Sequence, residues 1–145
     1  MPVKSNAPLS IGPGYQQRGI ANYWDFGGGL GQDYIHIKTT IPQQSYIMPM
    51  IELIGYNYGV AQPIRMAFVI YTYDSLIANW QNAYAGAYGN GVYISTDGYI
   101  CLRVSGNGST YFTGFSMDAY SVAGNGAQVE IGVLAMSVGG PGNIY

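Results

Sequence analysis

The sequence predicts an all-β domain, an antiparallel β-sandwich of jelly-roll-like topology with an irregular N-terminal arm. Three observations carry this expectation. Apolar residues alternate with period two over several short segments, and clusters of Gly, Asn, Asp and Pro separate those segments at regular spacing. Helix formers are scarce: Lys and Glu together number four, at Lys4, Lys38, Glu52 and Glu130. The 15 Tyr and 22 Gly fit the same class, Tyr as a strand former and Gly at turns and bulges. A chain of 145 residues is the size of one domain.

Residues 1–33 read as the arm and residues 34–145 as the sandwich. Pro2, Pro8, Pro13 and the run Gly27-Gly28-Gly29 break regular structure in the arm. It nevertheless carries Leu9, Ile11, Tyr15, Ile20, Tyr23, Trp24 and Phe26, more large apolar groups than a solvated linker holds. These seven are the candidate partner-docking residues, packing on the arm's own domain or on a neighbouring subunit.

The sandwich begins at Tyr34-Ile35-His36-Ile37-Lys38-Thr39-Thr40-Ile41, which puts Ile35, Ile37, Thr39 and Ile41 on one face and Tyr34, His36, Lys38 and Thr40 on the other. Pro42 ends it. Residues 46–58 form a second strand region, with Pro49 at an edge or bulge and Gly55 marking an irregularity. The run Met66 to Tyr73 is apolar on both faces, the mark of a central strand or of one with a face in an interface. Residues 74–90 fit either one or two helical turns capped by Asp74 or Ser75, or a long loop.

The second half is more regular. Val92 to Ser95 and Tyr99 to Val104 flank Asp97-Gly98, a hairpin signal, because Gly accepts the positive φ of a tight turn. Further strands are expected over Tyr111 to Tyr120 and Gln128 to Val138, the latter with Val129, Ile131, Val133 and Ala135 on one face. Gly139-Gly140-Pro141-Gly142 then releases a short tail. About seven strands result, a pattern of sandwiches and barrels.

Charge is scarce. Asp, Glu, Lys and Arg make up 8% of the chain, against roughly 25% in an ordinary soluble domain. Such a chain is expected to hide surface against other chains, as an oligomer. Lys4, Arg18, Lys38, Arg65 and Arg103 are scattered and form no basic stripe, which argues against nucleic-acid binding. No apolar run is long enough for a transmembrane helix, and the N-terminus lacks a signal-peptide apolar region, so synthesis in a cytoplasm is expected.

No catalytic signature stands out, and an enzyme is not expected. His36 is the single histidine and reads as a solvent-facing or interface residue. Cys101, the single cysteine, lies inside a strand and reads as a small buried side chain with no lowered pKa. No serine has a nucleophile-elbow context, no pair among the seven carboxylates stands out, and no metal, calcium or phosphate-loop spacing occurs, so no cofactor is expected. The aromatic inventory remains. Tyr84, Tyr88 and Tyr93, with Asn90 among them, fall near turns, where rings could stack on sugars and the amide could bond hydroxyls; packing between subunits or over the sheet is the other reading.

The runs Tyr34 to Pro42, Gly55-Tyr56-Asn57-Tyr58-Gly59, Ile94-Ser95-Thr96-Asp97-Gly98-Tyr99-Ile100 and Tyr111 to Tyr120 resemble β-sandwich modules of tailed-bacteriophage virion proteins. Such modules occur in tail fibres and in capsid decoration (cement) proteins, including those of phages of cyanobacteria. The resemblance covers residues 34–138 and is one of turns and aromatics. It implies a homotrimer on a virion surface, with the major capsid protein or another virion subunit as partner. A tail-fibre tip recognising host polysaccharide is the alternative. Such tips usually follow a long shaft, so a short chain with an apolar N-terminal arm is expected to be the cement protein.

Overall fold

The computed structural model describes residues 9–11, 16–24, 33–43, 47–73, 76–83, 90–105, 113–122, 126 and 129–145. They form ten strands: β1 (Leu9–Ile11), β2 (Gln16–Trp24), β3 (Tyr34–Pro42), β4 (Met50–Asn57), β5 (Gln62–Tyr73), β6 (Leu76–Ala83), β7 (Asn90–Ile94), β8 (Tyr99–Ser105), β9 (Thr113–Tyr120) and β10 (Val133–Gly139). A short 3₁₀ turn, Tyr58–Val60, joins β4 to β5. Two antiparallel sheets pack face to face. The larger has the order β1-β2-β9-β4-β5-β6 and the smaller β10-β3-β8-β7. This is the all-β sandwich the alternating pattern predicts. Its six strands and four differ from the four and four of an eight-stranded jelly roll.

Period two fixes which face is buried. On β3, Ile35, Ile37, Thr39 and Ile41 point inward and are buried, as expected. On β5 the inward set is Ile64, Met66, Phe68, Ile70 and Thr72, and every residue between them is partly or fully exposed. These side chains meet Ile51 and Leu53 of β4, Ile100, Leu102 and Val104 of β8, and Phe115, Met117 and Ala119 of β9 in one core. The β7–β8 hairpin turns at Asp97-Gly98 as expected, with Gly98 at φ 88°.

Three expectations are corrected. Gln16–Trp24 is a strand paired with β9, and Leu9–Ile11 pairs with it in turn, so much of the segment read as an arm belongs to the larger sheet. Its Pro and Gly residues hid a strand that runs through Gly19, where the pairing with β9 shifts register and Gly19 takes φ 69°. Leu76–Ala83 is also a strand, the edge partner of β5, where helical turns or a loop were expected. The spacing of Leu76, Ile77 and Trp80 suits either state, and the pairing with β5 decides it. Finally, residues 140–145 do not leave the domain but fold back over the smaller sheet.

Candidate functional site

The outer faces of the two sheets differ in chemistry. The larger sheet exposes an apolar and aromatic surface. Reading across the hydrogen-bonded register, one outward row is Gln16, Tyr120, Met50 and Val69, and another is Trp24, Gly114, Tyr56 and Pro63. Ile54 lies between the rows, and Tyr71, Tyr73 and Leu76 extend the surface along β5 and β6. Trp24 is 44% exposed, Tyr56 49% and Tyr73 60%, although all three stand in regular strands where neighbours could have covered them. The Trp24 ring lies on the backbone of Gly114, since a Cβ there would fall 2.5 Å from Trp24 Cε3, and it meets Tyr56 edge-on at 6.2 Å.

A charged row crosses this surface. Glu52 and Asp118 are direct cross-strand neighbours on β4 and β9. Two like charges opposite each other are unfavourable, and arginines from the flanking strands offset them. Arg65 lies 3.5 Å from Glu52, Arg18 lies 3.8 Å from Asp118, and the Gly19 N–H donates to Asp118 at 2.9 Å. Position in sequence gave no sign of this carboxylate pair, because its members are 66 residues apart (118 − 52). Between them lies only a shallow depression lined by Gln16, Met50, Glu52, Asp118, Ala119 and Tyr120.

The smaller sheet carries a covered polar network. Its outward rows are Ala135, Lys38, Cys101 and Tyr93, then Ser137, His36, Arg103 and Gly91. His36 was expected to face solvent or an interface. It does point outward, yet it is fully buried. Its Nε2 lies 2.8 Å from the Gly140 carbonyl and its Nδ1 3.0 Å from the Tyr93 hydroxyl. A carbonyl only accepts, so Nε2 donates to Gly140, and Nδ1 shares a hydrogen bond with the Tyr93 hydroxyl. With both nitrogens engaged, the ring is a structural tie rather than an available base. Burial raises the Tyr93 pKa and pushes the Cys101 thiol up to about 11, so Cys101 is a protonated packing residue.

Beside this network, Lys38 Nζ lies 2.5 Å from Asp97 and Ser95 Oγ donates to the same carboxylate at 2.6 Å, while the Tyr99 N–H donates to Ser95 Oγ. The bonds from Lys38 and then Ser95 hold the Asp97 carboxyl below its ordinary value of 3.8. A depressed pKa contributes stability that is present above that ordinary value and lost as pH falls through the folded one. Asp97→Asn is therefore expected to flatten the acid limb of the stability profile, read as urea midpoints from about pH 7 to about pH 2. An unchanged acid limb would show that the hairpin pair is not coupled to folding.

Among the proposed docking residues, Ile20 and Tyr23 pack against the core, Tyr23 stacked on Phe115 at 5.4 Å, and Trp24 stands on the exposed large-sheet face. The backbones of Leu9 and Ile11 lie in β1, while Tyr15 and Phe26 fall outside the described residues. Of the proposed glycan contacts, Tyr84 and Tyr88 also fall outside them, and Asn90 begins β7. Tyr93 is corrected. It is 6% exposed, its hydroxyl engaged by His36 under the folded-back tail, which leaves no ring face for a sugar. Among the described residues, no three His, Cys, Asp or Glu side chains are grouped to hold a metal, and no helix is long and apolar enough to cross a membrane. Compared with protein-family models, curated proteins and solved structures, the chain matches none of them.

Proposed function

We propose that the chain is a structural, non-catalytic protein of a phage virion: a homotrimeric decoration (cement) protein that docks through the outer face of its six-stranded sheet and stabilises the capsid surface. The observation that carries this reading is the set of large side chains exposed on this face to either side of the charged row, Tyr120, Val69 and Tyr71 on one side and Ile54, Tyr56 and Trp24 on the other. Large apolar side chains grouped on one exposed face mark interaction sites, and this chain has little charge with which to solvate them.

The face is also large enough. Five strands, β2, β9, β4, β5 and β6, lie side by side. At about 4.8 Å between strands and about 3.3 Å per residue, eight residues of strand give a face of about 600 Å². Covering it removes about 1,200 Å² counting both partners, the lower bound for a stable interface. The virion setting comes from the resemblance of residues 34–138 to phage β-sandwich modules.

Since β2 is hydrogen-bonded to β9, deleting residues 1–33 would strip the sheet and is no test of docking. Copy number in purified virions, by quantitative mass spectrometry against the major capsid protein, is the direct experiment. Copies comparable to the capsid protein are expected. Absence from virions would overturn the reading. A few copies per particle would favour the second reading, a fibre tip binding host polysaccharide, for which the exposed Trp24 ring seated on Gly114 beside Tyr56 is a fitting stacking platform.

A further inference from the structure

His36, Tyr93 and Cys101 all point away from the core on the smaller sheet, yet His36 and Cys101 are wholly buried and Tyr93 nearly so. Residues 140–145 supply the cover. Gly139 ends β10, and Ile144 folds back against it: a Cβ on Gly139 would fall 3.1 Å from Ile144 Cδ1. The segment is a strap that returns over the sheet it has just left. Its ties are polar. His36 donates to the Gly140 carbonyl, and Arg103 Nη1 donates to the Pro141 carbonyl at 2.6 Å and lies 3.3 Å from Asn143 Oδ1. The Thr96 N–H donates to the Tyr145 carbonyl at 3.3 Å, and the Tyr145 hydroxyl lies 2.7 Å from Ser137 Oγ. Lys38 Nζ, beside Cys101 in the outward row, lies 5.9 Å from the centre of the Tyr145 ring.

The strap covers much and buries little of itself. Residues 141–144 are exposed, the apolar Ile144 included. The core that joins the two sheets is built, among the described residues, from the strands and Ile131, without the strap. The strap's bonds also lie outside the strand ladders, since β10 ends at Gly139. Surface hydrogen bonds re-form with water when broken, so their net hold is small. A segment with few buried apolar contacts and no ladder bonds belongs to the least stable part of a fold. The hinge agrees. A Cβ at Gly140 or Gly142 would meet nothing within 4 Å, so the backbone there can turn without displacing a neighbour. We propose that residues 140–145 are a latch, which lifts from the smaller sheet as a unit while both sheets stay folded. Lifting uncovers His36, Tyr93, Cys101 and Arg103 together, a polar face unlike the apolar one on the larger sheet. The latch works within one chain and needs no docking partner, so it stands or falls apart from the capsid reading.

Cys101, the single thiol, reports the latch. The rate at which a maleimide labels it in the full chain is measured against urea concentration, beside the global unfolding curve. Lifting the strap exposes little surface and barely responds to urea, whereas global unfolding responds steeply. Two variants separate the routes. Asn143→Ala combined with Tyr145→Phe removes the side-chain bonds to Arg103 and Ser137 while the Tyr145 ring keeps its cover. Ile51→Val weakens the core on β4, in the other sheet, and leaves the strap's ties untouched.

At low urea the labelling rate is expected to be flat, at least about tenfold above the rate that global unfolding allows, and to join the steep branch only near the midpoint. The strap variant should raise the flat part about tenfold or more. Ile51→Val should lower the urea midpoint and leave the flat part where it was. Four results would overturn the proposal: a slope that stays steep down to zero urea, a flat part that the strap variant does not move, a flat part that follows Ile51→Val, or a native chain that labels as fast as the unfolded one.

Discussion

Replacing Gly55 by alanine is expected to destabilise the fold by about 3 kcal/mol or more, measured by urea denaturation. Gly55 sits in the middle of β4, opposite Phe115 of β9. A Cβ added there would fall 2.5 Å from Phe115 Cα and 2.7 Å from the Gly114 carbonyl carbon, with the Gly114 oxygen closer still. All three are backbone atoms of the neighbouring strand, so no rotamer change relieves the overlap. Relief requires prising β9 from β4, and β9 also holds β2. Gly142→Ala is the control. A Cβ at Gly142 meets nothing within 4 Å, and its change should stay within about 0.5 kcal/mol. Equal effects at the two sites would mean that the close approach of β4 and β9 does not exist in solution.

The same glycine shows what the sequence could and could not reveal. Gly55 reads as an irregularity, and the strand runs straight through it, because the need for glycine comes from Gly114 and Phe115, far away in the chain. The fold class was legible because period-two burial is a local property: Ile35, Ile37, Thr39 and Ile41 are buried as their alternation predicts, and Asp97-Gly98 turns where the pair stands. What depends on distant partners was not. β2 is a strand because β9 pairs with it, and β6 because β5 does. His36 lies in the outward row as its position in β3 requires, but it is buried by Gly140, 104 residues on. Likewise Glu52 and Asp118 become neighbours only when β4 and β9 pair. The exposed large-sheet face had one local signal, the apolar residues on both sides of β5, where Val69, Tyr71 and Tyr73 face outward while Phe68, Ile70 and Thr72 face the core.

That outward set carries the second large expectation. Val69→Glu and Tyr56→Glu, made separately, are expected to weaken docking at least about 100-fold while leaving the thermal midpoint of the free protein nearly unchanged. The positions sit far apart on the face. Val69 is opposite Met50 in the row that contains Tyr120, and Tyr56 is opposite Pro63 and Gly114 in the row that contains Trp24. Val69 has no cation across its rung, and Arg65, diagonal to Tyr56, is already paired with Glu52, so a carboxylate at either would be desolvated without a free ion-pair partner. Such burial costs several kcal/mol, and about 3 kcal/mol corresponds to about 100-fold in affinity. In the free chain both sites are exposed, so the charge remains hydrated and folding loses little. Val138→Glu, exposed at the β10 edge of the smaller sheet, is the matched control and should dock as wild type does. Co-sedimentation of each variant with empty capsids measures the effect. Loss at Val69 and Tyr56 together defines a footprint spanning the sheet, which only a broad partner surface can cover. Loss at Tyr56 alone confines recognition to the Trp24 corner, where a sugar ring would fit and a capsid subunit would not be needed. Docking that tolerates both charges would remove the large-sheet face from the interface altogether.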